Sequence, residues 1–136
     1  MTAEPARADE LVAAARDAMD RAYAPYSGFR VGAAILADGH VFTGQNIENA
    51  SYPVSVCAER NAVGRMIDAG MRSIEAVAVV TAADAPTPPC GACRQVLWEF
   101  GPGCTVTCQT VGGRRDTWAL ADLLPHAFGP SDLPAP

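Results

Sequence analysis

The chain contains no lysine; its ten basic residues are all arginines. That absence removes a Walker-type phosphate loop, whose lysine reaches the phosphates, and any chemistry built on a lysine Schiff base. Histidine is scarce as well, with only His40 and His126. Two histidines and no nucleophile-elbow motif support no Ser-His-Asp triad. Positive charge is in short supply: 10 basic residues face 15 acidic ones, for a net charge of −5 and a pI of about 4.8. That balance has the wrong sign for a protein that lives on nucleic-acid phosphates. No apolar run approaches the length of a membrane span. The polar, acidic stretch Met1–Glu10 does not resemble a leader with a positive start and an apolar centre. A cytoplasmic protein with no membrane and no nucleic-acid partner is expected.

What is present suits one globular domain. The chain has 136 residues, 49% hydrophobic and 18% charged, and a chain of this size buries roughly two-thirds of its surface on folding. Apolar residues at spacings of three and four predict a helix over 9–23, with Asp9 as its N-cap. Residues 30–37 and 40–45 read as strands joined by Asp38-Gly39, a short-hairpin signal. A second helix is expected from Cys57 to Ala69, closed by Gly70. The run 75–81 has the continuous apolar character of a strand covered on both faces. After the proline-rich stretch Pro86–Pro89, a third helix over 90–100 leads to a strand at 104–110. Gly112-Gly113 then turns the chain into a strand at 115–118, followed by a short helix over 121–124. Residues 1–8 and 130–136 are expected to be loose. The order implies a single α/β domain with helices layered on a mixed sheet. Its strands 75–81 and 104–110 should be parallel, because a helix crosses between them.

The five cysteines carry the chemistry. Three stand in two short motifs, Cys57-Ala58-Glu59-Arg60 and Pro89-Cys90-Gly91-Ala92-Cys93-Arg94-Gln95, each at the predicted start of a helix. There the free N–H groups and the positive dipole end favour thiolate. Cys90 and Cys93, one helical turn apart, can converge on one ion, and Cys57 can add a third sulfur. Three protein ligands rather than four leave a position for water, as in catalytic zinc sites. Glu59 is then placed to act on that water without ligating. Cys-x-Glu followed by Pro-Cys-x-x-Cys matches the zinc-deaminase pattern, with cysteine in place of the usual histidine. Cys104 and Cys108, too far apart along a strand for a disulfide, read as core residues. Trp98 and Trp118 read as packing residues, and His40 as a solvated side chain.

The sequence resembles the homotetrameric zinc-dependent cytidine deaminases. The resemblance is carried by Ala24-Pro25-Tyr26-Ser27-Gly28-Phe29, Val31-Gly32-Ala33-Ala34, Gly44-Gln45-Asn46-Ile47-Glu48-Asn49-Ala50-Ser51-Tyr52, both cysteine motifs, and Leu123-Leu124-Pro125-His126-Ala127-Phe128. Gly28 departs from it, standing where many relatives carry a larger polar residue, and Pro53-Val54-Ser55-Val56 is a variable approach to Cys57. The resemblance implies a three-layer α/β/α fold with a mostly five-stranded mixed sheet. It also implies one Zn²⁺ per chain, held by Cys57, Cys90 and Cys93. The implied reaction is hydrolysis of cytidine and 2′-deoxycytidine to uridine and 2′-deoxyuridine plus ammonia, within pyrimidine salvage. Hydroxide held by the zinc attacks C4, and Glu59 shuttles the protons. Phe29, Asn46, Glu48, Ala58 and Phe128 are assigned to substrate, with Asn46 and Glu48 on the sugar and Phe128 reaching in from a neighbouring subunit. Ala50 and Tyr52 are assigned to a segment crossing between subunits, and Arg60 and Gln95 to support of the sulfur cluster. Two alternatives stand beside this reading. One is a deaminase of the same superfamily acting on an antibiotic or on single-stranded nucleic acid. The other is a zinc-stabilised binding module closed by Cys104 or Cys108.

Overall fold

In the computed structural model, which describes residues 2–136, a five-stranded sheet divides the molecule. The strands are β1 (Val31–Ala37), β2 (His40–Gln45), β3 (Ala76–Thr81), β4 (Thr105–Thr110) and β5 (Arg115–Ala119), in the order β2-β1-β3-β4-β5. Only β3 and β4 run parallel; the other neighbours are antiparallel. The helices are α1 (Ala8–Met19), α2 (Ala58–Asp68), α3 (Gly91–Phe100) and the short α4 (Leu120–Leu123).

Strand side chains alternate between faces, and the two halves of the core follow that alternation. Ala34, Leu36, Ala76, Ala78 and Val80 pack under Leu11, Val12, Ala15 and Met19 of α1. Ala33, Ile35, Val77, Val79, Val106 and Cys108 pack under Ala62, Met66 and Leu97 of α2 and α3. Two glycines let the helices close on the sheet. A side-chain carbon at Gly32 would overlap the Ala15 carbonyl oxygen of α1, and one at Gly44 the Ala58 carbonyl oxygen of α2. The second contact matters for function, because it presses the first turn of α2 against β2. Asp38 (φ 48°) and Gly39 (φ 78°) make the left-handed pair that a tight β1–β2 hairpin requires.

Three expectations need correction. Asp9 does not cap α1: the helix already begins at Ala8, whose N–H reaches the Pro5 carbonyl, and Arg7 occupies the cap position two residues before Asp9. The Asp9 carboxylate instead accepts from Arg115 at 2.7 Å. The same helix ends at Met19 rather than 23, because long-range bonds win over propensity. The Tyr23 N–H donates to the Asn46 carbonyl (3.0 Å), and the Glu48 N–H to the Tyr23 carbonyl (2.8 Å). Nor is the start of the chain free at Thr2 and Glu4. Thr2 exchanges hydrogen bonds with Thr117 and Ala119 of β5, and Glu4 pairs with Arg115. Pro130–Asp132 form a 3₁₀ turn closed by Asp132 on the Gly129 N–H.

Candidate active site

Two helices begin side by side on a cysteine each. Cys57 is the N-cap of α2 and Cys90 the N-cap of α3, both with extended backbone. Cys93 lies one turn into α3, and its N–H donates to the Cys90 sulfur at 3.4 Å. The three sulfur atoms lie within 4.8 Å of one another, the only such group of potential metal ligands among the described residues. Cys57 Sγ and Cys90 Sγ are 3.9 Å apart. Tetrahedral zinc with Zn–S bonds of about 2.3 Å requires sulfur separations of about 3.8 Å, so the donor set fits that ion. Cys104 and Cys108 are buried in the core beneath α2 and α3 and lie outside the cluster. Among the described residues there is therefore no fourth protein ligand.

Charge around the cluster is managed by its neighbours. The Arg60 guanidinium, a turn beyond Cys57, donates to the Cys57 sulfur at 3.5 Å. The Cys93 thiol and this arginine hold Cys57 down at about 5, while the shared proton pushes Cys93 far up. Glu59, on the first turn of α2, is 5% exposed. Burial, followed by the charge of Cys57, lifts its carboxyl from the ordinary 4.5 to about 7. An acid with that environment is able to hold or release a proton near neutrality.

A cavity of about 340 Å³ opens above this cluster, lined by Cys57, Ala58, Glu59 and Cys90 at one end and Ser27, Phe29, Asn46 and Glu48 at the other. Val31, Val79, Thr81, Thr87 and Pro88 complete the wall. The Asn46 amide brackets the start of β1: its oxygen accepts from the Val31 N–H (2.9 Å), and its nitrogen donates to the Phe29 carbonyl (2.8 Å). Glu48 receives the Tyr26 and Ser27 N–H groups at 2.9 and 3.0 Å on one oxygen and the Ser27 hydroxyl on the other. The Ser27 hydroxyl and these N–H groups hold the carboxyl below its usual range.

Other expected site residues lie elsewhere. Gln95 does not approach the sulfurs. Two residues past Cys93 it has turned about 200° around the helix, and its amide donates to the Phe128 carbonyl at 2.8 Å. Phe128 stands away from its own chain's cavity and is 57% exposed. Ala50 and Tyr52 are on the surface, Tyr52 being 70% exposed with its ring tilted 60° against that of Tyr26. Ser27, Thr81, Thr87 and Pro88 were not anticipated in the cavity. Thr81 had a usable signal, since it ends a strand at the sheet edge where sites form in α/β folds. Thr87 had none: it reaches the cavity through a hydroxyl contact with Thr81 (3.1 Å).

The sulfur cluster at paired helix starts, on this sheet, defines a zinc-binding deaminase domain. The family model for the cytidine and deoxycytidylate deaminase zinc-binding region matches residues 5–109. The chain is 45% identical over 127 residues to a cytidine deaminase of Sporosarcina psychrophila, covering 92% of this chain and 93% of that one. Among solved structures, a cytidine deaminase from Burkholderia pseudomallei superposes with a TM-score of 0.85 at 47% identity, covering 88% of this chain and 98% of that one. One from Mycobacterium tuberculosis gives 0.76 at 42%, with 89% and 96% covered. The chain belongs to the cytidine deaminase family.

Proposed function

We propose that the protein hydrolyses the exocyclic C4 amine of cytidine and 2′-deoxycytidine, giving uridine and 2′-deoxyuridine plus ammonia. The observation that carries this reading is the buried Glu59 carboxyl beside three converging sulfurs at the closed end of a nucleoside-sized cavity. Cys57, Cys90 and Cys93 would hold one Zn²⁺ per chain, which when bound would supply the acidification of water that attack on C4 needs at neutral pH. Glu59 would take one proton from the attacking water and deliver it to N3, then carry the second, from the hydroxyl now on C4, to the amine, which leaves as ammonia as the C4 carbonyl forms. One carboxyl serves both transfers because both occur on the same side of the ring. Arg60 and the two helix N-termini offset part of the excess negative charge of three thiolates on a divalent ion. Ala58, Phe29, Asn46 and Glu48 seat the nucleoside, with the sugar at the Asn46–Glu48 end.

Exposed aromatic side chains stand at the open side of the cavity: Phe29 lines it, and Tyr26 and Tyr52 line the depression that adjoins it at Ser27 and Glu48. Together with the exposed Phe128, they support a homotetramer in which the 50–52 segment and Phe128 complete neighbouring sites. None of the described helices is long and apolar enough to cross a membrane, and we place the enzyme in the cytoplasm, in pyrimidine salvage. The decisive measurement is ultraviolet monitoring of cytidine and deoxycytidine conversion, with adenosine, free cytosine and an antibiotic substrate as controls, alongside metal analysis. Conversion of both nucleosides at one zinc per chain is expected. Turnover of the antibiotic alone, or full activity without zinc, would overturn the reading.

A further inference from the structure

The residues that follow the second metal-ligand motif hold down a segment distant in sequence. Arg94 donates to the Pro89 carbonyl (2.7 Å) and, through another nitrogen, to the Leu123 carbonyl (2.8 Å). Gln95 donates to the Phe128 carbonyl (2.8 Å). One turn on, the Trp98 ring sits so close to Gly129 that a side-chain carbon there would come within 3.1 Å of its indole nitrogen. Between these anchors the chain passes through His126 at φ 53°, a left-handed conformation that residues other than glycine adopt uncommonly. The Leu123–Gly129 segment is thus clamped at both ends along the outer face of α3. The Phe128 ring, in contrast, belongs to neither half of the core and is exposed. Its main chain is fixed while its side chain faces outward.

We propose that Gln95 is a positioning residue: its amide fixes the Phe128 main chain so that the ring projects, already ordered, into the pyrimidine end of a neighbouring copy's cavity. This rests on the reading that Phe128 crosses between subunits. A ring carried on a loose segment must be ordered each time a nucleoside binds, whereas a ring held in place has that ordering done beforehand. Contact with the bound base is made alike in the ground and transition states, so losing the order raises KM and leaves kcat nearly unchanged. The glutamine is required for its N–H donor, not its bulk. Gln95→Glu keeps the shape but turns a carboxylate toward the Phe128 carbonyl.

The test uses the full-length, zinc-loaded protein with Gln95→Ala, Gln95→Glu, Phe128→Ala and the Gln95→Ala/Phe128→Ala pair. Both Gln95 variants should raise KM for cytidine about three- to tenfold, the range expected for one lost hydrogen bond. Their kcat should stay within about twofold, with unchanged zinc content and oligomeric mass. Amide hydrogen exchange over residues 124–129 should speed up. Phe128→Ala should raise KM at least as far, and adding Gln95→Ala to it should change nothing more. A wild-type KM in Gln95→Glu beside a strong Phe128→Ala effect would overturn the role of Gln95. So would zinc loss in either Gln95 variant, or additive effects in the pair. A silent Phe128→Ala would overturn the crossing of Phe128 and the proposal with it.

Discussion

The two ends of the cavity are built by different rules. At the closed end every chemical group sits on the first turn or cap of a helix: Cys57 and Glu59 on α2, Cys90 and Cys93 on α3. Their spacing is set by helical geometry over three or four residues, and the helices are pressed into place by core packing. At the open end the groups sit in loops, and their placement depends on hydrogen bonds between segments far apart in the chain. Glu48 is held from Tyr26 and Ser27, and Asn46 holds Phe29 and Val31. The closed end is therefore rigid because its scaffold is rigid, whereas the open end is rigid only while its own polar side chains remain. Substitutions at the closed end should strike chemistry and spare the fold; at the open end they should strike the order of the chain and substrate binding.

The largest effect belongs to Glu59→Gln. Losing the proton carrier should lower kcat by about 10²–10⁴-fold, with zinc still bound, since Glu59 is outside the sulfur cluster. The fold should not suffer. Glu59 has a raised carboxyl, so it adds no penalty at low pH, where it is neutral both folded and unfolded. As pH climbs from 4.5 towards and past about 7, the unfolded state ionises more readily and the buried carboxyl becomes a growing liability. In zinc-free protein Glu59→Gln should thus gain stability at pH 8, by up to about 3 kcal/mol, and none at pH 4. Denaturant melts at the two pH values check this. Lower stability at pH 8 would show that the carboxyl is held by favourable partners instead.

Asn46→Ala comes next and should behave in the opposite manner. It deletes an acceptor for the Val31 N–H and a donor for the Phe29 carbonyl, and the loss should destabilise the protein by about 1–3 kcal/mol. KM should rise as well, because Phe29 lines the cavity and loses its fixed main chain. Asn46→Asp keeps the acceptor and drops the donor, and should fall between the two. An Asn46→Ala protein with wild-type stability would mean that the open end is held by its backbone alone.

The same contrast explains what could be read from the sequence. The closed end was legible because its information is local: Cys57-Ala58-Glu59 and Cys90-Gly91-Ala92-Cys93 each fall within one helical turn. The sheet was legible too, from the Asp38-Gly39 turn and the apolar run through Val77, Val79 and Val80. The misplaced features all involve competition from distant partners. Asp9 reads locally as a cap, but Arg115 of β5 claims its carboxylate. The helix expected to reach residue 23 stops at Met19, because Tyr23 bonds across to Asn46 and Glu48. The resemblance assigns Gln95 to the sulfur cluster, whereas its angle on α3 carries its amide to the Phe128 carbonyl. Local spacing gives a residue's neighbours along one element; it does not give which second element will arrive opposite.

The smallest effect, and the sharpest probe of the open end, concerns the Ser27 hydroxyl. It donates to one Glu48 oxygen and accepts from the Phe29 N–H at 2.9 Å, so its proton has one available direction. Donation favours the ionised carboxylate, and together with the Tyr26 and Ser27 N–H groups it holds Glu48 below the ordinary 4.5. A depressed carboxyl keeps its charge as pH falls through the ordinary range and gives it up only beneath that range. Carboxyl-carbon NMR of Glu48 should accordingly show a midpoint under 4.5 in the native protein. Ser27→Ala removes the leading cause and leaves the two backbone donors, so the midpoint should move back upward without reaching the value of a free side chain. The Phe29 N–H also loses its acceptor, so Ser27→Ala should loosen Phe29 slightly while zinc content and kcat at neutral pH stay as they were. An unmoved midpoint would assign the whole depression to the Tyr26 and Ser27 N–H groups. The open end would then owe its charge to backbone shape alone, and the difference between the two ends would narrow.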